Sequence, residues 1–192
     1  MKKEDFYVLK WSEFYRDILK LSKKIKKDNY KPDIIVAIAR GGWVVGRILS
    51  DILEVNQVTD LHITFYTNIY STLKEPVILE GIGKDVRNKK ILVADDVSDT
   101  GESLLKSIDY LKSFSPLVIK TATVYVKPWT KLIPDYYTKI IDKWIIYPYE
   151  VKETIMKLKN KWVNENKSIE WVQNKLIEIG IPKWQVREFL KG

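Results

Sequence analysis

The sequence predicts an α/β fold, a doubly wound parallel sheet of about five strands followed by a small C-terminal three-helix appendage. Three observations predict it. Ile34–Ala39 and Ile91–Ala94 are short, uninterrupted runs of small and branched apolar residues, the pattern of parallel strands buried on both faces. Around and between such runs, apolar residues recur at three- and four-residue spacing, the period of amphipathic helices. Beyond Glu150 the strand pattern stops and helical periods take over.

Taken in order, Trp11, Phe14, Ile18, Leu21 and Ile25 mark a first helix with lysines on its other face. Pro32 confirms its end. The strand Ile34–Ala39 leads through Arg40-Gly41-Gly42 into a second helix marked by Val44, Val45, Ile48, Leu49, Ile52 and Leu53. Leu61–Tyr66 reads as a strand, and residues Thr67–Pro76 carry no period and read as an exposed loop. Ile91–Ala94 is the next buried strand. It runs through Asp95-Asp96 into a turn and a helix with Leu104, Leu105, Ile108 and Leu111 on one face. Leu117–Val126 and Ile140–Ile146 are expected to be later strands. Residues 1–149 thus form one domain and residues 150–192 a helical extension. Its helices are expected at Val151–Val163, Ser168–Ile179 and Pro182–Leu190. Ser168 caps the second, Gly180 stops it and Pro182 suits the first turn of the third. Trp162, Trp171, Val172, Leu176, Ile179, Trp184, Val186 and Leu190 are expected to give it a small core.

Composition narrows the chemistry. Apolar residues make up 45% of the 192, enough for a real core, and no apolar run approaches the ~20 residues needed to cross a bilayer. No apolar stretch follows the basic start, so a cytoplasmic protein without membrane partners is expected. The absence of cysteine excludes disulfides, thiolate metal sites and cysteine nucleophiles. A single histidine, His62, argues against a histidine metal site or a Ser-His-Asp triad. Proton transfer then falls to carboxylates, lysines or tyrosines. The net charge of +8 suits a polyanionic partner, and a phosphorylated ligand explains it as well as nucleic acid does. The helical extension is only mildly basic, with nine Lys/Arg against six Asp/Glu.

Ligands of open α/β sheets sit at the carboxyl ends of the strands. Adjacent carboxylates at Asp95 and Asp96 repel unless something cationic or hydroxylated meets them, and a ribose diol, with or without Mg²⁺, fits. Asp99, Thr100, Gly101, Glu102 and Ser103 then turn into a helix. Backbone N–H groups there, with the Thr100 and Ser103 hydroxyls, can surround a phosphate, and Gly101 permits close approach. Diol and monophosphate recognition a few residues apart outline a ribose 5-phosphate.

The ordered string of an apolar strand, DDxxDTGxS and an amphipathic helix resembles the phosphoribosyl pyrophosphate (PRPP) motif of type I phosphoribosyltransferases. Ala39-Arg40-Gly41-Gly42 is similar to that family's pyrophosphate loop. Val124–Pro128 and Trp144–Glu150 resemble the base-binding region of the bacterial xanthine-guanine enzymes, as do Tyr7–Trp11 and Ile63–Tyr66 in their places. The resemblance covers roughly residues 6–150 and leaves out the extension.

The resemblance implies that Asp95 and Asp96 bind the ribose hydroxyls and help place Mg²⁺. It implies that Asp99 assists a proton at the purine imidazole and that Asp99 through Ser103 hold the 5-phosphate. Arg40, Gly41 and Gly42 would hold pyrophosphate, and Thr67–Lys74 would close over the transition state. Trp144 would stack on the purine, with the Ile145 backbone at the base edge, and Lys127 would donate to a 6-oxo group. A homodimer is usual in the family. Two features disagree about the base. Lys127 favours a 6-oxopurine, whereas a core of this kind with a three-helix extension resembles crenarchaeal adenine phosphoribosyltransferases, and on architecture adenine is the expected base. Trp129 and Thr130 also depart from the small residues that usually follow Lys-Pro. A minor alternative is a regulator that senses PRPP and binds nucleic acid.

Overall fold

The two uninterrupted apolar runs lie side by side as parallel neighbours, Ile34 opposite Ile91 and Ala37 opposite Ala94. The computed structural model describes residues 2–67 and 74–190. Its elements in chain order are β1 (Phe6–Val8), α1 (Trp11–Lys27), β2 (Ile34–Ala39), α2 (Gly41–Ile52), β3 (Val58–Thr67), β4 (Lys74–Glu80) and β5 (Lys90–Ser98). Then come α3 (Glu102–Lys112), β6 (Val118–Val126), β7 (Lys139–Ile140), β8 (Trp144–Ile146), α4 (Val151–Asn164), α5 (Ile169–Glu178) and α6 (Lys183–Leu190). The chain divides into two compact units, a sheet unit of Tyr15–Ile141 and a helical unit of Met1–Phe14 with Asp142–Gly192.

In the sheet unit the strand order is β4-β3-β2-β5-β6-β7, with β4 antiparallel and the others parallel. Alternation along β2 sends side chains to opposite faces. Ile34, Val36 and Ile38 join Leu104 and Leu111 of α3 in one core. On the other face Gly46 of α2 approaches Ala37 and Ile35 so closely that a β-carbon there would lie 2.9 Å from the Ala37 Cβ. Helices therefore cover both faces, as a doubly wound sheet requires.

Three expectations change. Lys74–Pro76, read as loop, are the start of β4, an edge strand in which Pro76 is tolerated because one of its sides needs no partner. The expected strand Ile140–Ile146 is two strands of different sheets: β7 pairs with β6, and β8 pairs with β1. β5 also continues past Ala94 to Ser98, held by β6 through Val97 opposite Tyr125 and Ser98 opposite Val126. The acidic pair is therefore in a strand, not in the turn that follows it.

A buried ion pair fastens α1 to the sheet. Asp17, 1% exposed, accepts from Tyr125 Oη (3.0 Å) and pairs with Lys139 Nζ (2.7 Å) and Lys20 Nζ (3.0 Å). Burial alone would raise its pKa, but the bonds from Lys139, Lys20 and Tyr125 outweigh that and hold it below the ordinary value of 3.8. Such a carboxyl adds stability above its unfolded pKa and loses it as pH falls through the folded one. Asp17→Asn should therefore cost about 2 kcal/mol in urea unfolding at pH 7. The deficit should shrink below about pH 4; a deficit independent of pH would disprove the ionic role.

In the helical unit β1 and β8 pair in parallel, Phe6 opposite Trp144 and Val8 opposite Ile146. Val151, Ile155, Leu158 and Trp162 form the buried stripe of α4, and Val172, Leu176, Ile179 and Val186 pack with it. Ser168 caps α5 by accepting from the Trp171 N–H at 3.1 Å. Gly180, at φ 110°, ends it with Gly180 N–H donating to Ile177 O and Ile181 N–H to Leu176 O. Trp184, expected in this core, is 66% exposed, and Trp171 only edges onto Trp162 at 5.5 Å. The unit begins at Asp142 and takes in the N-terminal strand, because β8 needs β1 as its partner.

Candidate active site

The chain leaves β2 for β3 on one side and β5 for β6 on the other. At such a switch point the loops diverge and leave a crevice beyond the strand ends. Arg40-Gly41-Gly42 follow β2 there, and Asp95-Asp96 lie on β5 just past the last residue paired with β2. The Ala39–Arg40 peptide is cis, and Arg40 is the N-cap residue of α2. The two segments touch. A β-carbon on Gly42 would overlap the Ala94 carbonyl oxygen, and one on Gly41 would lie 2.6 Å from Asp96 Cγ. Hydrogen alone lets this loop lie on the acidic pair.

Asp95 is buried, and its Oδ1 accepts from the Asp96 N–H at 2.9 Å. Burial first, and then the neighbouring Asp96 charge, push its pKa well above the ordinary carboxylate range. That is a stored electrostatic cost which a hydroxyl pair or a cation would relieve.

After β5, Asp99 and Thr100 are exposed, and Gly101 turns into α3 at φ 83°. A β-carbon on Gly101 would lie 2.7 Å from Leu132 N. Thr100 Oγ1 accepts from the Glu102 N–H at 3.3 Å. The first N–H groups of a helix have no partners within it and form an anion site. A cavity of about 380 Å³ is lined here by Phe65 and the residues from Asp95 to Leu104. Of the expected site residues, the sheet unit gathers Arg40, Gly41, Gly42, Asp95, Asp96 and Asp99–Ser103 at these strand ends.

Lys127 follows β6 and is 6% exposed. Its backbone N–H donates to Ser98 O at 3.0 Å, so it starts beside the phosphate segment. Its ammonium sits 5.5 Å from the centroid of the Trp129 ring, and Trp129 Nε1 donates to Asp99 Oδ1 at 2.8 Å. Trp129 is the neighbour that sequence reasoning did not count as a site residue. The only sign of it was a bulky residue where small ones are usual. Trp144 and Ile145 lie on β8 of the helical unit, where Trp144 tilts against Phe6 at 6.3 Å and Ile145 is buried. The expected closing segment, residues 68–73 between Thr67 and Lys74, lies outside the described residues.

Among the described residues no group of three or more His, Cys, Asp or Glu side chains could hold a metal ion. Two carboxylates do suit Mg²⁺, which usually takes one or two protein ligands and completes its shell with water and substrate phosphate. No helix among the described residues is long and apolar enough to cross a membrane.

The model of the phosphoribosyl transferase domain family matches residues 7–154. A xanthine-guanine phosphoribosyltransferase of Nitratidesulfovibrio vulgaris is 30% identical over 143 residues, 73% of this chain and 82% of that protein. A hypoxanthine phosphoribosyltransferase of Escherichia coli strain K12 is 26% identical over 103 residues, 53% of this chain and 58% of that protein. Among solved structures, a purine phosphoribosyltransferase from Pyrococcus horikoshii superposes with a TM-score of 0.69 at 36% identity, covering 76% of this chain and 93% of that one. The family match over residues 7–154 and these similarities show that the chain belongs to the phosphoribosyltransferase family and resembles its type I purine enzymes.

Proposed function

We propose that this enzyme transfers ribose 5-phosphate from PRPP to a 6-oxopurine, giving a nucleoside 5′-monophosphate and pyrophosphate. The observation that carries the choice of base is Lys127, a buried cation beside the PRPP segment. An ammonium has only donors. It meets the carbonyl oxygen of guanine, xanthine or hypoxanthine and mismatches the 6-amino group of adenine. The xanthine-guanine and hypoxanthine names of the relatives favour the same choice over the adenine expectation, which rested on the helical extension.

In this reading the unprotonated imidazole nitrogen of the base attacks the anomeric carbon as the bond to pyrophosphate breaks, and the proton on the other imidazole nitrogen passes to Asp99. Asp95 and Asp96 hold the ribose hydroxyls. The N–H groups and hydroxyls from Asp99 to Ser103 hold the 5-phosphate, and Arg40 to Gly42 hold the departing pyrophosphate. Asp95 and Asp96 would help hold Mg²⁺, which would supply charge neutralisation for the leaving group. The protein's own part is positioning and charge stabilisation.

The test is to incubate the protein with Mg²⁺ and PRPP and each of hypoxanthine, guanine, xanthine and adenine. Consumption of a 6-oxopurine in preference to adenine is expected. Preference for adenine would restore the other base, and no turnover of any would sink the purine assignment. Lys127→Ala should lower kcat/KM for the preferred 6-oxopurine by about 10- to 100-fold, the worth of one charged hydrogen bond. The KM for PRPP should stay within about twofold.

A further inference from the structure

We infer that Trp129 is a positioning residue for base selection, tying Asp99 to Lys127 so that both meet the base in a fixed arrangement. The inference rests on the reading of Asp99 and Lys127 as the groups that face the base. An indole carries one N–H donor at its edge and an electron-rich face. In Trp129 the donor is on Asp99 Oδ1 at 2.8 Å, and the face is under the Lys127 ammonium at 5.5 Å. No small residue at this position could do either, and phenylalanine could do only the second. Core packing does not explain the residue, since Trp129 is 55% exposed.

The segment that carries Trp129 is pinned along the phosphate segment. Lys127 N–H donates to Ser98 O and Lys131 N–H to Thr100 O, each at 3.0 Å. Ser98 Oγ donates to Leu132 O at 2.9 Å and meets Thr130 Oγ1 at 2.8 Å. Lys131 Nζ pairs with Glu102 Oε1 at 2.7 Å. With its backbone held at both ends, the indole has a fixed origin, and the two charged groups take their positions from it. The bond occupies Asp99 Oδ1 and directs Oδ2 to the imidazole N–H of the base. The ring beneath the ammonium limits the directions in which Lys127 can donate. Discrimination between a 6-oxo and a 6-amino group depends on such fixed donors, because a mismatched base leaves a polar group unpaired.

Two substitutions separate the two contacts. Trp129→Phe keeps the ring face and loses the donor. It should lower kcat with hypoxanthine about tenfold, one charged hydrogen bond at its weaker end, and leave the KM for PRPP and the hypoxanthine-to-adenine ratio of kcat/KM within about twofold. Trp129→Ala loses both contacts and should in addition reduce that ratio about tenfold. In an Asp99→Ala background the Trp129→Phe step should have no further effect on kcat, which a role in packing would not produce. Wild-type kcat and base ratio in both variants would overturn the inference. So would a uniform loss in which the melting temperature falls and the KM for PRPP rises in parallel. If Asp99→Ala and Lys127→Ala leave base kinetics unchanged, the reading of the site fails and the inference with it. If those two change base kinetics and the Trp129 variants do not, the role of Trp129 alone is refuted.

Discussion

Asp95→Asn is expected to stabilise the ligand-free protein while nearly abolishing its activity. Asp95 is buried, and burial followed by the Asp96 charge raises its pKa well above the ordinary carboxylate range. A carboxyl whose pKa is raised on folding binds its proton more tightly in the folded state. Stability therefore falls as pH rises from its unfolded value, near 4, through the folded one. An amide has no such cost. Thermal unfolding should show Asp95→Asn level with the wild type near pH 4 and ahead of it by about 1–2 kcal/mol at pH 8. The same exchange removes a charge from the group proposed to hold the ribose hydroxyls and the metal as charge develops at the anomeric carbon. Turnover of PRPP should fall roughly 100- to 1000-fold, the scale set by deleting one preorganised electrostatic contact. A variant less stable than the wild type at pH 8 would mean that the buried charge is already compensated in the ligand-free enzyme. Near-normal turnover would remove Asp95 from the site.

What the sequence disclosed and what it withheld follow from the range of the forces involved. Ile34–Ala39 was legible because burial on both faces leaves a strand no polar position, and the strand has those ends. Ser168 and Gly180 were legible because capping is local. The acidic pair was legible as chemistry but not as structure. Two aspartates look like the end of a strand, and only the pairing with β6, some thirty residues on, carries β5 to Ser98. β4 was hidden because an edge strand need not alternate and can hold a proline, so residues 74–76 read as loop. Trp129 stood out in the sequence as a bulky residue after Lys-Pro, but its bond to Asp99 was hidden, since that partner is thirty residues away and no period marks the contact. The adenine expectation came from the extension, whose sequence carries no information about which atom meets the substituent at the purine six-position.

Gly42→Ala should damage the enzyme through a single methyl group. A β-carbon at Gly42 would overlap the Ala94 carbonyl oxygen and stand 3.3 Å from Asp95 Cα. Both are backbone atoms of β5, where Ala94 is paired with β2 and β6 and Asp95 with β6, so the strand resists giving way. The loop must move instead, and with it the N–H groups proposed to hold pyrophosphate. Overpacking of this kind costs about 1–3 kcal/mol of stability. Misplacement by about 1 Å is enough to cost roughly 100-fold in kcat/KM for PRPP. Gly41→Ala offers a graded comparison. Its β-carbon meets the Asp96 carboxylate, the end of a side chain that can rotate away, so stability should fall less while the displaced carboxylate still impairs turnover. Gly83→Ala is the control, because a β-carbon there meets nothing within 4 Å and φ is not in the left-handed region; both stability and kinetics should be unchanged. Steady-state kinetics with varied PRPP, together with inhibition by pyrophosphate, read the outcome directly. If Gly42→Ala binds PRPP and pyrophosphate as the wild type does, the Arg40–Gly42 loop does not hold the diphosphate, and the close seating of that loop on β5 serves only to pack α2 against the sheet.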